Sequence, residues 1–341
     1  MSELNHYIIH KSGGLIRLPN LEAAMNEVKN GGVLWLNYCE PTKVDLEAIS
    51  APFNIHELVI EDCLDENQIP KIEDYPTNTF ILFDSFRYIE NNLTIHEIDL
   101  IVGDNFLVTV CGRDSNGKSL LDGIEKLVEQ DIGTARHGAS FIAHNVIDSI
   151  VDNKFAIIDV LEEEINRLED LILEDHTKFK PIELVKLRRE LLAVRKSIFH
   201  EREILIKITR KDSPHIPDKA IIYYRDIYDH LTKFFELTES ARDLVTSLME
   251  MYLSILNNRL TSAANATNFS VRRLTVITTI FMPLTLLAGI GGMSEYSMMT
   301  GPQNWRIAYL AFLAGMVVLG VINYIFIRWL EKRRLKNDLD I

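Results

Sequence analysis

Taken at seven-residue intervals, one stretch of the chain gives Ser247, Ser254, Thr261, Asn268, Thr275, Met282 and Gly289. Three residues further on, a second row gives Glu250, Asn257, Ala264, Val271, Thr278, Thr285 and Gly292. Most of these residues are small or carry a neutral oxygen, whereas the seam of a dimeric coiled coil would be apolar. A line of such oxygens has two uses. It ties membrane helices to one another, as small and hydroxylated residues do, or it faces water along an axis that a seven-residue repeat keeps in phase. Parallel helices around that axis would enclose a wet pore.

The elements that carry these rows are legible in the hydropathy. No residue is charged from Leu274 to Met293 or from Ile307 to Ile327, and each run matches the roughly 20 residues a helix needs to cross a bilayer. A buried hairpin in a soluble protein is the bland alternative. Arg272 and Arg273 precede the first run, and Arg328, Lys332, Arg333, Arg334 and Lys336 follow the second. The connection between them carries Glu295 and no Lys or Arg; Arg306, just inside the second span, is the one residue against, and it can snorkel to the interface. The positive-inside rule then puts both termini in the cytoplasm and the loop 292–304 outside. A chain with two spans cannot close a channel alone, so the pore reading requires an oligomer.

Ahead of the spans the sequence is mixed. Strand-like runs occur at Tyr7 to Ile9, Val33 to Tyr38, Phe80 to Tyr88, Leu93 to Val102 and Phe106 to Cys111. Gly31-Gly32, Asn91-Asn92 and Gly103-Asp104-Asn105 punctuate them as turns, and Ile55 to Leu64 reads as a short helix. From about Ser140 the spacing turns helical, broken only near Lys180-Pro181 and Ser213 to Pro217. The last helix is predicted to start near Pro217, a residue suited to a first turn, and to run unbroken to about Gly291. The expected division is an α/β cytoplasmic domain over 1–138, a helical bundle and stalk over 139–270, and a two-helix membrane region with a basic tail over 271–341.

A formal charge of −13 makes nucleic acid an unsuitable partner and favours a surface that gathers cations. The acidic run Val151 to Asp175, with Glu162-Glu163-Glu164 and Glu169-Asp170, reads as a solvated helix face or as cation attraction near a pore mouth. Cys39, Cys63 and Cys111 lack metal-ligand spacing, and their odd number fits reduced cytosolic thiols. His137 and His144, seven apart, are more in keeping with surface or core histidines than with ligands. No catalytic constellation is visible, so an enzyme is not expected.

The run Thr279-Ile280-Phe281-Met282-Pro283-Leu284-Thr285, with Ala288-Gly289-Ile290 and Gly292-Met293 after it, resembles the first membrane helix and signature of the CorA family of magnesium transporters. His56 to Asp62, Pro70 to Tyr75, Tyr224 to His230 and Tyr252-Leu253-Ser254 agree in order along the chain. The resemblance implies a funnel-shaped homopentamer with a pore lined by the first membrane helix. It implies Mg²⁺ both transported and regulatory, with metal bound between cytoplasmic domains holding the funnel shut. Asp226 matches the family's sensor position, and Asp229 is a second candidate. Glu250, Asn268, Thr275, Thr278, Met282 and Thr285 are the pore-lining candidates, Met282 as part of an apolar constriction.

The signature departs from the family's Gly-Met-Asn: here it is Gly292-Met293-Ser294, followed by Glu295. Mg²⁺ sheds water reluctantly, so a ring of neutral oxygens around its hydration shell is the expected chemistry. Serine, with a shorter arm and a single hydroxyl, makes a wider and weaker ring, which relaxes the choice among Mg²⁺, Co²⁺, Ni²⁺ and Zn²⁺. The expected function is influx of a divalent cation, most of all Mg²⁺, across the cell (inner) membrane, driven by the membrane potential and gated by cytoplasmic metal; no nucleotide-binding loop is expected. Two alternatives stay open: Zn²⁺ or other transition-metal transport, proton-coupled or not, and a metal sensor that no longer conducts. The spans hold no Asp, Glu or His to carry a proton.

Overall fold

The computed structural model describes residues 2–10, 13–29, 31–65, 68–174, 178–292, 301 and 305–337. Each run of β-branched and aromatic residues forms a strand: β1 Glu3–Ile9, β3 Val33–Cys39, β5 Asn78–Ile89, β6 Asn92–Gly103 and β7 Phe106–Cys111. Two further strands, β2 Leu15–Leu18 and β4 Ile72–Asp74, are too short to show alternation in the sequence. Helices α1 Leu21–Val28, α2 Lys43–Phe53 and α3 Glu57–Asp62 separate them. The sequence showed only the last of these.

One sheet results, in the order β2-β1-β3-β7-β6-β5-β4. All pairs are antiparallel except β3 with β7, which run parallel. Local chemistry fixes the register. The β5–β6 hairpin turns on Glu90 and Asn91, both at positive φ (51° and 60°), as a two-residue turn compatible with strand twist requires. Gly103 closes the next turn so tightly that a Cβ there would lie 2.1 Å from Cε1 of Phe106. Helix α2 starts in a capping box, the Thr42 hydroxyl and the Asp45 carboxylate each satisfying the other's backbone N–H.

Leu34, Leu36, Tyr38, Phe80, Leu82, Ile101, Val108 and Val110 of the sheet form one core with Ala24, Leu46, Ile49, Val59 and Ile60 of α1 to α3. After short helices α4 Ile124–Gln130 and α5 Ile132–Ala135 come the long ones, α6 Ala139–Glu174 and α7 Pro181–Thr209, which pack on β5. That packing buries a charge pair completely. Lys154 Nζ lies 2.5 Å from Oε1 of Glu201 and 4.2 Å from the centre of the Phe86 ring. The same Oε1 accepts the Asp84 backbone N–H at 3.0 Å, while Oε2 has no partner. Burial first, then the nearby Asp84 carboxylate, pushes the Glu201 carboxyl up to about 7, against the pull of Lys154.

Helix α8 runs from Ile221 to Gly291, 71 residues without a break, and α9 from Trp305 to Asn337. The chain packs as two compact units, Met1–Glu250 and Met251–Ile341. In the first, α8 buries Ile221, Tyr224, Ile227, Leu231, Phe234, Thr238, Ala241, Val245 and Leu248, every third or fourth residue, as one helix face requires. Tyr224 anchors it by donating its hydroxyl to the Ser140 carbonyl at 2.8 Å.

Removing one member of a buried pair strands the other, at a cost of about 3–5 kcal/mol, whereas replacing both with apolar groups is close to neutral. Glu201→Ala is therefore expected to lower the melting temperature of the detergent-solubilised protein sharply, and Lys154→Met with Glu201→Leu to recover most of it. A double variant as unstable as the single one would show that the pair is not the source of the loss.

Candidate functional site

From Met251 onward no residue of α8 is buried. An 18-residue window within α8 has mean hydropathy 1.9, one within Arg306–Trp329 has 2.4, and neither has any buried share. A core hairpin of a soluble protein would be covered by its own chain, so the bland reading of these runs fails. The second unit brings the two helices close at one end. A Cβ added to Gly291 would meet Cζ of Phe312 at 2.7 Å, so the glycine sets how near α9 approaches.

Glu250, Asn268, Thr275, Thr278, Met282 and Thr285 are all exposed, Met282 at 72%. Their hydroxyls are not free donors. Thr275 Oγ1 donates to the Val271 carbonyl, Thr278 to Leu274 and Thr285 to Phe281, each at 2.9 Å. With its proton committed one turn back, each hydroxyl presents only acceptor lone pairs outward. The helix ends where Gly292 N–H reaches the Ala288 carbonyl at 3.0 Å. Met293, Ser294 and Glu295 lie outside the described residues.

A second constellation sits in the first unit. Asp148 and Asp152, one turn apart on α6, meet His230 of α8 with ligand atoms all within 4.8 Å of one another. Asp226, one turn before His230, adds its charge. Burial first, then Asp152 and Asp226, hold the Asp148 carboxyl above its ordinary value, while His144 and His230 pull it back. Asp226 acts on this cluster through its charge alone; Asp226 and Asp229 are both exposed and both lie outside the ligand group. The carboxylates suit a hydrated Mg²⁺, and a neutral His230 nitrogen suits Co²⁺ or Zn²⁺ better. The signal was present in the sequence as two four-residue spacings, Asp148/Asp152 and Asp226/His230, whose convergence only the fold reveals. His144 is buried edge-on against Tyr223 and Tyr224, and His137 precedes α6 with Nδ1 3.1 Å from the Thr134 carbonyl. They form no ligand pair.

One loop departs from the expectation that no phosphate cradle is encoded. Gly112-Arg113-Asp114-Ser115-Asn116-Gly117-Lys118-Ser119 has the spacing of a P-loop. The fold fills that cradle from within: Asp114 Oδ1 accepts the N–H groups of Asn116 at 2.9 Å and Lys118 at 3.0 Å. Arg113 and Ser119 bridge as in a hairpin, and the next helix starts only at Ile124. Without a helix N-terminus at Ser119, the loop has no phosphate site.

Residues 30–333 match the family model for the CorA-like Mg²⁺ transporter protein. The chain belongs to that family. The cobalt/magnesium transport protein CorA of Thermotoga maritima is 32% identical, the match covering 88% of this chain and 82% of that one. The corresponding protein of Methanocaldococcus jannaschii is 23% identical over 94% of this chain and 97% of its own. The complete structure of the CorA magnesium transporter from M. jannaschii superposes with a TM-score of 0.66 at 22% identity, covering 95% of this chain and 97% of that one. The CorA-like fold of an α/β domain, a long helix and two membrane-length helices is thus this chain's fold.

If the Asp148 cluster binds divalent cation, Asp148→Asn has two opposed effects. Relief of like-charge repulsion raises the melting temperature in EDTA, and the extra stabilisation by millimolar Mg²⁺ or Co²⁺ falls by half or more. A variant whose metal-induced shift equals the parent's would remove the cluster from consideration.

Proposed function

We propose that the chain assembles as a funnel-shaped homopentamer in the cell (inner) membrane, both termini cytoplasmic, and conducts hydrated divalent cations, Mg²⁺ first and Co²⁺ or Ni²⁺ beside it. Residues 1–138 and 139–270 form the sensing part, and 271–341 the conducting part. The observation that carries this reading is α8 itself: one unbroken helix holds Asp226 and His230 near its start, Glu250 midway, and the acceptor row Asn268, Thr275, Thr278, Met282 and Thr285 within and just before its apolar length.

In that arrangement five copies of α8 put Thr hydroxyl lone pairs toward the axis, where the outward-pointing protons of a hydrated cation donate to them. Met282 supplies an apolar ring, which closes by dewetting when it narrows. Gly292, Met293 and Ser294 form the outer ring, with Glu295 drawing cations to it. The membrane potential supplies about 2.3 kcal/mol per charge per 100 mV, roughly twice that for a divalent ion, so no second energy source is needed. Cytoplasmic Mg²⁺ at Asp226, Asp148 and Asp152 neutralises carboxylates that otherwise repel one another, and its loss frees the stalks to part.

The test is ion uptake by the purified protein in liposomes, with Mg²⁺, Co²⁺, Ni²⁺ and Zn²⁺ offered in turn, with and without a pH gradient. Mg²⁺ flux indifferent to the gradient is expected, and Met282→Ala is expected to raise it roughly tenfold under internal Mg²⁺ that closes the parent. Zn²⁺ flux that follows the gradient would replace this reading with proton-coupled transition-metal transport. An absence of flux that Ser294→Asn restores would make the natural chain a silent sensor.

A further inference from the structure

The three cysteines are far apart in sequence, yet the parallel joint of the sheet sets Cys39 opposite Cys111 at the last paired positions of β3 and β7. Neighbouring strands lie about 4.8 Å apart, inside the Cα spacing that a disulfide spans. Opposed side chains of neighbouring strands project to the same face of a sheet, so the register makes the two thiols neighbours. Cys39 also donates to the Gly112 carbonyl at 3.4 Å, and Cys111 Sγ lies 3.4 Å from the Ser119 hydroxyl. Arg113 stands beside Cys39, held 3.2 Å from Glu3 and 3.4 Å from Glu40. Each cysteine is only 4% exposed, but each borders a polar cavity. One of about 310 Å³ reaches Cys39 past Arg17, Lys118 and Asp122, and another of about 510 Å³ reaches Cys111 past Glu40.

We propose that Cys39 and Cys111 form a peroxide-reactive dithiol, a modification site separate from the cation pathway. The Cys39 thiolate attacks the O–O bond of a hydroperoxide, taking up one oxygen as a sulfenic acid while the other leaves, protonated, as water or an alcohol. The Cys111 thiol then attacks that sulfur, the S–S bond forms, and the sulfenic oxygen departs as water with the thiol proton. Two electrons pass from the two sulfurs to the peroxide, and a cellular thiol reverses the bond by exchange.

The surroundings separate the roles. The neighbouring Cys111 thiol first, then Ser119 and Arg113, lower the Cys39 thiol to about 6, against burial and the charge of Glu40. Cys111, beside the Cys39 sulfur and buried, is pushed well above the ordinary thiol range. Cys63 is raised by burial and by Asp99 and Asp62 beside it, so it serves as an internal control. A reactive cysteine needs an electropositive neighbour and a resolving partner; only Cys39 has both. The disulfide would lock the joint between the β2-β1-β3 and β7-β6-β5-β4 halves of the sheet.

The experiment uses the full-length protein in detergent, freshly reduced. Alkylation followed by peptide mass spectrometry from pH 5 to 9 should show Cys39 reacting at least about tenfold faster than Cys63 at pH 7, with a half-maximal rate near pH 6. Hydrogen peroxide should then link the Cys39 and Cys111 peptides within one chain and leave Cys63 free. Cys111→Ser should stop the reaction at a Cys39 sulfenic acid that dimedone traps, and Cys39→Ser should leave Cys111 reduced. Cys63 reacting first, equal rates at all three cysteines, links only between chains, or no thiol loss at millimolar peroxide would each overturn the proposal.

Discussion

The structure turns on how α8 is covered. A helix of 71 residues cannot stand on local propensity, because most helical stability in proteins comes from packing one face. Its own chain covers that face only as far as Leu248. Beyond it, the apolar positions of the membrane-length window need lipid or protein, and the oxygen-bearing row needs water or other polar groups. Backbone polarity is settled within the helix; side-chain cover is not. Helix α9 supplies part of that cover, through the close approach at Gly291 and Phe312; the proposed assembly would supply more.

Charge is handled in two ways inside the first unit. Lys154 and Glu201 face each other fully enclosed, and the aromatic face of Phe86 lies against the cation. Asp148, Asp152 and Asp226 are left facing one another with only His230 and His144 in partial compensation. The first arrangement holds α6 and α7 to β5 whatever ions are present. The second leaves carboxylates crowded where α6 meets the start of α8, the place where the proposed function puts a divalent ion.

Where sequence reading succeeded and failed follows from range. Strands β5, β6 and β7 are legible because their β-branched and aromatic content and the Asn91-Asn92 and Gly103-Asp104-Asn105 punctuation are local, and α8 because nothing before Pro283 interrupts it. Strands β2 and β4, four and three residues long, fall below the window in which alternation means anything. The facing of Cys39 and Cys111 depends on a parallel register across most of the first domain, so no spacing rule could find it. The P-loop pattern at Gly112 to Ser119 shows the converse. There a local motif is present, and the missing helix start together with the Asp114 carboxylate removes its chemistry.

In the proposed pore, selectivity is constrained by local hydrogen bonds along α8. Thr275, Thr278 and Thr285 give their protons to carbonyls one turn back, so what they offer outward is acceptor capacity alone. A ring of acceptors favours the water protons around any divalent cation and distinguishes poorly between one hydrated ion and another, since it never touches the metal. In the proposed pentamer the shaft is therefore permissive. In that proposal, discrimination falls to the signature residues Gly292, Met293 and Ser294. Exchanging Asn for Ser there removes an amide donor and shortens the arm, which shifts the burden toward the Gly292 carbonyl and Glu295. In that reading, the expected exchange of Asn for Ser294 falls on the element left responsible for choosing the ion.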